Sequence, residues 1–538
     1  MSKILKKDPS LLQLTKEFLH EESILREGTG ESGKERQKRL GRLTARERLA
    51  ILLDDSEQFL ELGLWAAYKM YPEWGDLPAA GVITGIGSVC GRQCMIIAND
   101  ATVKAGAMFP QSVKKVLRAQ RIAFECRLPV LFLVDSSGVF LPLQSEIFPD
   151  EDDFGRIFRN NAVFSAAGIP QFAAIMGNCI AGGGYLPVLC DKLLMTEGSG
   201  LYLAGPALVK AAIGQVVDPE ELGGAKMHSE ISGTVDFMEP NDPTCLNRLR
   251  SLIDMLPPDP KNQEDLSTPA ENPQKIYDLM NADNTRMYDA RELIKCIVDQ
   301  DSFEEYKKHY GQTLVVGYAK ISNQPVGIVA NQRISSKTGQ GEVEIGGVLY
   351  SESADKAARF VMDCNQIKIP LIFLQDVVGF MVGREAEQSG IIRSGAKLVN
   401  AVSNSIVPKI TIVIGNSFGA GNYALCGKAY DPHFIFAWPN AKYAVMGADQ
   451  AADTLFTIQE KAMERKGHAL NKEELKQMHQ EIKDRYKEQT DIRFGAARGW
   501  IDGIIAPHTT RSTLLHLLQL VNRSPLKERL FHTGVIQV

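Results

Sequence analysis

Gly177-Asn-Cys-Ile-Ala-Gly-Gly-Gly-Tyr185 follows an apolar run, and Gly415-Asn-Ser-Phe-Gly-Ala-Gly-Asn-Tyr423 repeats the same pattern 238 residues later. In both places a segment typical of a buried strand runs directly into a turn rich in glycine. A repeat of this length is a whole domain rather than the unit of a solenoid. The sequence therefore predicts two copies of one domain, each with a turn where a ligand can approach the backbone.

Two further pairs of segments support the duplication. Residues 127–138 are matched by residues 368–379, and residues 97–100 by residues 329–332. Short apolar runs alternate with helical patterns in both halves of the chain, which is typical of a layered α/β domain. We therefore expect an α/β fold with two domains in tandem.

The composition is that of a globular protein. Of the 538 residues, 44% are hydrophobic and 23% are charged, and the formal net charge is −5. No basic excess points to nucleic acid or to a membrane surface, and no apolar run is long enough to span a bilayer. The nine cysteines are scattered without a Cys-x-x-Cys pair. This pattern indicates a reducing compartment, with neither structural zinc nor a disulfide framework.

The domain boundaries are predicted from local composition. Pro257-Pro-Asp-Pro260 opens a polar stretch that is typical of a linker. We expect an N-terminal domain over residues 1–256, a linker over 257–285 and a C-terminal domain over 286–538. Residues 10–60 and 450–490 have helical patterns with many charges, and packing within a domain or at a subunit contact is their simplest interpretation.

The two glycine-rich turns carry the predicted chemistry. A strand-to-helix turn presents main-chain N–H groups that have no partner in the helix and that lie at its positive end. Such a turn suits an oxygen that becomes negative, as a thioester carbonyl does when an enolate forms. The alternative is a tight turn needed only for packing. The occurrence of a glycine-rich turn in both copies favours the first interpretation, with two oxyanion holes, one for each of two substrates.

Side chains offer no obvious nucleophile or base. The sequence contains no Gly-x-Ser-x-Gly and no His-Glu-x-x-His motif, and neither turn matches a phosphate-binding or dinucleotide-binding glycine pattern. Asp135 and Asp376 end two predicted strands. They are either catalytic carboxylates or, as we favour, caps of the turns that follow. The sequence indicates chemistry carried by backbone donors and by a base that arrives on a cofactor.

The chain resembles the carboxyltransferase (β) subunit of biotin-dependent acyl-CoA carboxylases, and most of all the methylcrotonyl-CoA carboxylase branch. The resemblance covers nearly the whole chain. Its motifs are Arg42-Leu-Thr-Ala-Arg-Glu-Arg48, Ala98-Asn-Asp-Ala-Thr-Val-Lys104, Phe154-Gly-Arg-Ile-Phe158, Leu203-Ala-Gly-Pro206, Glu220-Glu-Leu-Gly-Gly-Ala225, Gly379-Phe-Met-Val-Gly-Arg384, Gly395-Ala-Lys-Leu-Val399, Phe418-Gly-Ala-Gly-Asn-Tyr423 and Ala444-Val-Met-Gly447.

The resemblance implies a fold and an assembly. It implies two tandem crotonase-like (ββα-spiral) domains, with acyl-CoA on the N-terminal domain and carboxybiotin on the C-terminal one. It also implies a homo-hexamer, in which each active site lies between domains of neighbouring subunits. The chain lacks an Ala-Met-Lys-Met biotin attachment site and a phosphate-binding loop for ATP. A biotin carboxylase and biotin carrier (α) subunit is therefore the expected partner, with no metal, nucleic acid or membrane involved.

The resemblance also assigns roles to the two turns. Gly182 and Gly183 match the oxyanion hole for the thioester oxygen, with Ala181 and Gly184 beside the substrate. The hole for the biotin ureido oxygen matches Ala420 and Gly421, and the biotin-binding residues are Phe418, Gly419, Ala420, Gly421 and Asn422. The implied reaction is release of CO2 from carboxybiotin, proton transfer from the acyl-CoA to biotin, and attack of the resulting enolate on CO2.

The sequence departs from the family pattern in two places. Leu141-Pro-Leu143-Gln144 stands where the methylcrotonyl branch often has Leu-Pro-Arg-Gln, so a positive charge beside the substrate site is lost. Residues 332–350 form a longer segment that partly resembles the glutaconyl-CoA decarboxylase α subunit. The acyl group is therefore open among methylcrotonyl, geranyl, propionyl and longer chains. Lys114, Lys115 and Arg118 either contact CoA phosphates or, as we favour, form a solvated helix face.

Three functions remain in competition at the level of sequence. The carboxyltransferase subunit of an acyl-CoA carboxylase is favoured. The alternatives are the carboxyltransferase α subunit of a glutaconyl-CoA-type decarboxylase, which needs a membrane partner, and a catalytically silent hexameric scaffold. The expected location is the cytoplasm of a bacterium, or the mitochondrial matrix in a eukaryote.

Overall fold

The computed structural model describes residues 10–28, 31–257, 267–338, 341–465, 472–523 and 530–532. These residues divide into two compact units. The N-terminal unit contains the described residues from 20 to 257 together with 496–499, and the C-terminal unit contains the rest. One described stretch of the predicted linker is folded, because helical turns begin at Pro273 and the Ile276 side chain is buried. Residues 258–266 of that linker lie outside the described residues.

The N-terminal unit is built on a sheet of eight strands. Its spatial order is β1-β2-β3-β4-β5-β6-β8, and β7 pairs with the far end of β5. The β1–β2 and β2–β3 pairs are antiparallel, and the remaining pairs are parallel. The strands are β1 (Leu60–Leu62), β2 (Val82–Val89), β3 (Arg92–Asn99), β4 (Val130–Ser136), β5 (Gln171–Ile180), β6 (Lys192–Thr196), β7 (Gly200–Tyr202) and β8 (Phe237–Glu239).

Helix α4 packs on this sheet through an apolar stripe. Its Val113, Val116, Ala119 and Ile122 are buried at the spacing expected of an amphipathic helix. The helices are α1 (Leu11–Arg26), α2 (Glu31–Arg39), α3 (Ala45–Leu52), α4 (Pro110–Glu125), α5 (Phe154–Ala166), α6 (Tyr185–Val188), α7 (Pro206–Ile213), α8 (Pro219–Gly223), α9 (Ala225–Glu230) and α10 (Asp242–Asp254).

The C-terminal unit has a second sheet of eight strands in the order β20-β18-β17-β15-β11-β10-β9, with β19 paired to β17. Two small sheets, β12-β13 and β14-β16, accompany it. The strands are β9 (Glu304–Glu305), β10 (Leu314–Ile321), β11 (Gln324–Asn331), β12 (Ser336–Lys337), β13 (Val343–Glu344), β14 (Val348–Leu349), β15 (Leu371–Val377), β16 (Gly379–Phe380), β17 (Lys409–Phe418), β18 (Phe434–Ala437), β19 (Lys442–Ala444) and β20 (Gly503–Ile504).

The helices of the second half follow the same plan and add a long charged pair near the end. They are α11 (Ile276–Leu279), α12 (Ala290–Lys295), α13 (Ser351–Ile367), α14 (Arg384–Gln388), α15 (Ile391–Ser403), α16 (Gly419–Ala424), α17 (Ala448–Arg465), α18 (Lys472–Thr490), α19 (Ile492–Ala497) and α20 (Thr510–Val521). No helix in the described part of the chain has the length and apolar character needed to cross a membrane.

The two large sheets have the same strand order. Each begins with a short strand (β1, β9) beside an antiparallel hairpin (β2–β3, β10–β11), continues with two parallel strands (β4–β5, β15–β17) and ends with three short ones. The prediction of an α/β fold is thus confirmed, as are the strands that lead to the glycine-rich turns, and most strand pairs of both sheets are parallel. The short strands β6–β8 and β18–β20 were not predicted, because two to five residues carry too little periodicity.

Candidate active site

The N-terminal turn follows β5 without a gap. Ala181–Gly184 forms one turn of 3₁₀-helix, and α6 begins at Tyr185. Because each N–H of a 3₁₀ turn donates to the carbonyl three residues earlier, the turn itself leaves the Gly182 amide without an acceptor within it. A methyl group built on Gly183 would meet its nearest protein atom, Phe154 Cζ, only at 4.0 Å. Space is therefore open beside this turn.

An apolar pocket occupies that space. Gly183 is one of its lining residues, and the cavity volume is about 30 Å³. The lining comes mainly from β3, β4, β5 and the helices α4, α5 and α6, through Ile97, Val116, Phe132, Val134, Phe154 and Leu186 among others. A mostly apolar lining beside main-chain N–H groups suits a hydrocarbon group that carries a carbonyl.

The C-terminal turn follows β17 in the same way. Gly419–Ala424 forms α16, so the amides of Ala420 and Gly421 lie in its first turn and have no acceptor within the helix. Gly419 has a φ of 54°, and a Cβ there would lie 2.9 Å from Val445 O, so this position requires glycine. Ala420 is exposed. In contrast to Gly183, a Cβ on Gly421 would lie 2.5 Å from Val377 Cγ2.

A chain of side-chain hydrogen bonds stabilises the C-terminal turn. Asn422 Nδ2 donates to Ser417 Oγ at 2.7 Å, and Ser417 Oγ donates to Gln375 Oε1 at 2.7 Å. Gln375 Nε2 in turn donates to the Leu425 carbonyl. The Asn422 side chain therefore holds the turn in place, and a contact of this residue with biotin stays a prediction.

The equivalent positions of the N-terminal unit are apolar. Val134 stands where the other unit has Gln375, and Cys179 stands where it has Ser417. Both Val134 and Cys179 line the pocket. Burial, with a further contribution from Asp135, raises the pKa of the Cys179 thiol to about 12. The thiol stays protonated at neutral pH and acts as an apolar wall.

A buried ion cluster lies behind the N-terminal turn. Arg48 is 1% exposed; its Nε donates to Asp242 Oδ2 at 2.8 Å, and its Nη2 lies 3.4 Å from Asp135 Oδ2. Burial raises the pKa of Asp135, and the charges of Arg48 and Arg42 act in the opposite direction. Arg48 is a charged residue of α3 that is nevertheless buried, because two buried carboxylates accept its charge.

The C-terminal unit has a corresponding cluster around Asp376. Arg333 Nε lies 3.3 Å from Asp376 Oδ2, and Tyr288 Oη donates to the same oxygen at 3.1 Å. Arg333 comes from the longer segment 332–350, and Gly346 and Gly347 pack so closely around it that a Cβ on either would lie within 2.4 Å of Arg333 atoms. The segment 332–350 thus supplies the counter-charge of a buried aspartate.

The structure corrects two predictions about aspartates and lysines. Asp135 and Asp376 do not cap the turns that follow them; each accepts an amide from the neighbouring strand, from Asn178 and Asn416 respectively. Lys115 is buried and donates from Nζ to the Ala79 carbonyl at 3.0 Å. It belongs neither to a solvated helix face nor to a surface that contacts phosphates.

Leu143 makes an apolar contact. It is half-buried and packs against a cluster of buried residues that includes Tyr71, Leu77 and Phe109. Among the described residues, no group of three or more His, Cys, Asp or Glu side chains is arranged to hold a metal ion.

Comparison with known proteins decides the family. The carboxyl transferase domain matches residues 36–532 of the chain. The chain belongs to the carboxyl transferase family. The family that the motifs predicted is thereby confirmed, and with it the prediction of an enzyme that acts as a carboxyltransferase.

Individual relatives of this carboxyl transferase agree with that assignment. It is 45% identical to the biotin-dependent 3-methylcrotonyl-coenzyme A carboxylase beta1 subunit of Mycobacterium tuberculosis, over 93% of this chain and 92% of the relative. It is 43% identical to the mitochondrial methylcrotonoyl-CoA carboxylase beta chain of Arabidopsis thaliana, over 94% of this chain and 85% of the relative. The solved beta subunit of P. aeruginosa geranyl-CoA carboxylase has a TM-score of 0.84 at 33% identity, over 100% and 99% of the two chains.

Sequence reasoning missed the pocket of this carboxyl transferase and both buried clusters. The pocket is lined from three strands and three helices, so no single motif contains it. The Phe154-Gly-Arg-Ile-Phe158 motif was one available signal, because Phe154 is a pocket wall. The pairing of Arg48 with Asp135 joins residues 87 positions apart, and nothing local in the sequence marks it.

Proposed function

We propose that this chain is the carboxyltransferase subunit of a biotin-dependent acyl-CoA carboxylase, and that it acts on a short acyl-CoA of the methylcrotonyl type. The observation that carries the proposal is the apolar pocket beside Gly183. Its apolar lining and its place beside the turn suit a hydrocarbon group whose thioester oxygen accepts hydrogen bonds from the amides of the 181–184 turn. The relatives at 45% and 43% identity, both methylcrotonyl-CoA carboxylase β subunits, favour the same acyl group.

The proposal divides the work between the units. We assign the N-terminal domain, residues 1–256, to acyl-CoA and the C-terminal domain, residues 286–538, to biotin, as two crotonase-like (ββα-spiral) domains in tandem joined by residues 257–285. The amides of Gly182 and Gly183 stabilise the negative charge that develops on the thioester oxygen. Such a donor is worth about 2.7–4 kcal/mol of activation free energy. Ala181 and Gly184 flank the substrate.

The C-terminal turn fits a biotin ureido oxygen. Ala420 is exposed, and its amide and that of Gly421 lie at the positive end of α16. Both N–H groups can therefore donate to an oxygen that becomes negative and stabilise its charge. When bound there, carboxybiotin supplies the CO2 that is transferred. Phe418 and Gly419 shape the approach to this turn, and the hydrogen bonds of Asn422 hold it rigid. In this proposal biotin comes on a biotin carboxylase and biotin carrier subunit.

The assembly and the location are part of the same proposal. Several large apolar side chains are mostly exposed on the single chain, namely Leu203, Ile213, Val216, Ile231, Val382 and Val445. Exposed apolar residues of this kind suit an interface with further copies of the chain, and we propose a homo-hexamer. The proposed location is the bacterial cytoplasm, or the mitochondrial matrix in a eukaryote.

The test is carboxylation of a panel of acyl-CoA esters by the chain together with its biotin-carrying partner. Labelled bicarbonate and ATP are supplied with methylcrotonyl-, propionyl-, butyryl- and geranyl-CoA in turn. We expect methylcrotonyl-CoA to give the highest kcat/KM. A preference for geranyl-CoA would overturn the assignment of a short acyl group. Absence of acid-stable label with all four esters would overturn the proposed function itself.

A further inference from the structure

The strands that lead to the two turns bulge at the same place. Between the pairs Val134↔Ile175 and Ser136↔Cys179, the single residue Asp135 of β4 faces three residues of β5. Between the pairs Gln375↔Val413 and Val377↔Ser417, Asp376 of β15 likewise faces three residues of β17. Such bulges bend a strand and are characteristic of positions beside active sites.

Each bulge redirects its strand towards a turn. Up to Ile175, β5 pairs with β6. From Asn178 onward it pairs with β7, and it then runs directly into Ala181–Gly184. In the other unit, β17 pairs first with β18 and then, over residues 416–418, with β19, and it ends where α16 begins. The direction of each turn therefore depends on the geometry of the bulge.

A buried carboxylate holds each bulge. Asp135 Oδ1 accepts the Asn178 amide at 3.2 Å, and a Cβ on Gly177 would lie 2.0 Å from Asp135 Cγ. Asp376 Oδ1 accepts the Asn416 amide at 2.8 Å, and a Cβ on Gly415 would lie 2.5 Å from Asp376 Cγ. In both units the carboxylate thus rests on a glycine that stands six residues before the glycine of the turn.

The opposite oxygen of each carboxylate meets a cation. In the N-terminal unit Arg48 approaches Asp135 Oδ2 and also donates to the Met176 carbonyl at 2.8 Å, inside the bulge. In the C-terminal unit Arg333 approaches Asp376 Oδ2, and Asn440 Nδ2 donates to the Ile414 carbonyl at 3.0 Å. In both copies a cation thus faces the carboxylate, and a side-chain N–H group donates to a carbonyl of the bulge. Arg48 does both in the N-terminal unit, whereas Arg333 and Asn440 share them in the C-terminal unit.

We propose that Asp135 and Asp376 are positioning residues, each of which sets the amides of its turn through the bulge it holds. This inference rests on the proposed function. A carboxylate is required because both of its sides face donors: a backbone amide on one side, and Arg48, or Arg333 with Tyr288, on the other. An asparagine has one oxygen and one NH2 group, so it cannot accept on both sides. The bulge then shifts, and the amides of the turn move away from their oxygen.

The test separates the two turns by using two reactions of the complete enzyme with its biotin-carrying partner. The first is carboxylation of methylcrotonyl-CoA. The second is breakdown of carboxybiotin without acyl-CoA, in which the C–N bond breaks, CO2 leaves and the nitrogen takes a proton from water; it is followed as bicarbonate-dependent ADP release. Asp135→Asn is expected to lower kcat of carboxylation about 10- to 100-fold, with a nearly unchanged KM for acyl-CoA and unchanged breakdown.

Asp376→Asn is expected to lower the rates of both carboxylation and carboxybiotin breakdown about 10- to 100-fold, because release of CO2 precedes its transfer. Tyr288→Phe, which removes one hydrogen bond to Asp376 and keeps the charge, is expected to lower both by less. If Asp376→Asn does not fold, the double variant Asp376→Asn/Arg333→Gln removes both buried charges and replaces it in the comparison.

Asp299→Asn is the matched control. Asp299 pairs with Arg511 at 2.7 Å in the C-terminal unit and has no contact with either bulge. The Asp299→Asn variant is expected to have a lower melting temperature and wild-type rates of both reactions. The inference is overturned if Asp135→Asn carboxylates at the wild-type rate, or if it lowers breakdown as much as carboxylation. A wild type that breaks down carboxybiotin but carboxylates no ester overturns the proposed function, and this inference with it.

Discussion

Gly183 and Gly421 hold the same position in the two copies, yet their surroundings differ. Beside Gly183 the nearest atom to an added methyl group is 4.0 Å away, whereas at Gly421 the Val377 side chain leaves only 2.5 Å. Val134 and Cys179 line a pocket at the first turn, and Gln375 and Ser417 form hydrogen bonds at the second. Substitution of a few residues has therefore given two copies of one turn different environments.

Lys115 provides a prediction about pH. Burial lowers its pKa to about 7, and Glu61 acts in the opposite direction. Between about pH 7 and the ordinary lysine value near 10.5, the unfolded chain keeps a proton that the folded chain has released. The free energy of unfolding therefore rises with pH in this window, by up to about 1.4 kcal/mol per pH unit from this residue.

Denaturant unfolding of the wild type and of Lys115→Met at pH 7 and pH 9.5 measures the effect. We expect the stability of the wild type relative to the variant to increase towards pH 9.5. Lys192→Met, which changes an exposed lysine, is the control and is expected to show no such trend. A constant or falling difference for Lys115→Met would show that the folded chain keeps this proton.

At the scale of elements, the bulged strands β5 and β17 determine where the turns lie. The sequence predicted the first part of each strand, because continuous apolar runs are typical of buried parallel strands. It did not predict the bulges, which depend on Asp135 and Asp376 from neighbouring strands. Gly177 and Gly415 were visible as repeated residues, and only the structure explains them, since each is covered by a carboxylate.

Gly177→Ala tests this description of β5. Its methyl group would lie 2.0 Å from the Asp135 carboxyl carbon, so the strand or the carboxylate has to move. We expect a loss of about 1–3 kcal/mol or more in the free energy of unfolding. Gly155→Ala, in α5, meets no atom within 4 Å and is expected to leave stability unchanged or slightly higher. Equal stability of the two variants in thermal unfolding would contradict the proposed packing.

At the scale of the whole molecule, the duplication was predictable because both copies keep their glycine-rich turns. The buried ion clusters were not, because Arg48 and Asp242 lie 194 residues apart and their contact exists only in the folded chain. The folded stretch after Pro273 was also missed, since its polar composition resembles that of a linker. Local composition thus identified the repeated turns, and long-range contacts determined their environment.

The proposed assembly predicts a mass. Six chains of 59.3 kDa each give about 356 kDa, and we expect light scattering of the purified chain at micromolar concentration to give this value. The physical reason is that copies of the chain would cover its exposed apolar side chains. A concentration-independent mass of one chain would contradict the hexamer and leave those side chains without an explanation.

The central claim is that main-chain amides after Ile180, beside an apolar pocket, act on the acyl-CoA. Fixation of labelled bicarbonate into methylcrotonyl-CoA by Gly183→Ala, compared with the wild type in the presence of the partner subunit, tests it most directly. The added methyl group meets no protein atom closer than 4.0 Å, so the fold and the melting temperature are expected to stay unchanged. The alanine keeps the amide, but its methyl group enters the space through which the thioester approaches and displaces the substrate. We therefore predict a loss of carboxylation of about 100-fold or more, with breakdown of carboxybiotin retained. Wild-type carboxylation by Gly183→Ala would contradict the account.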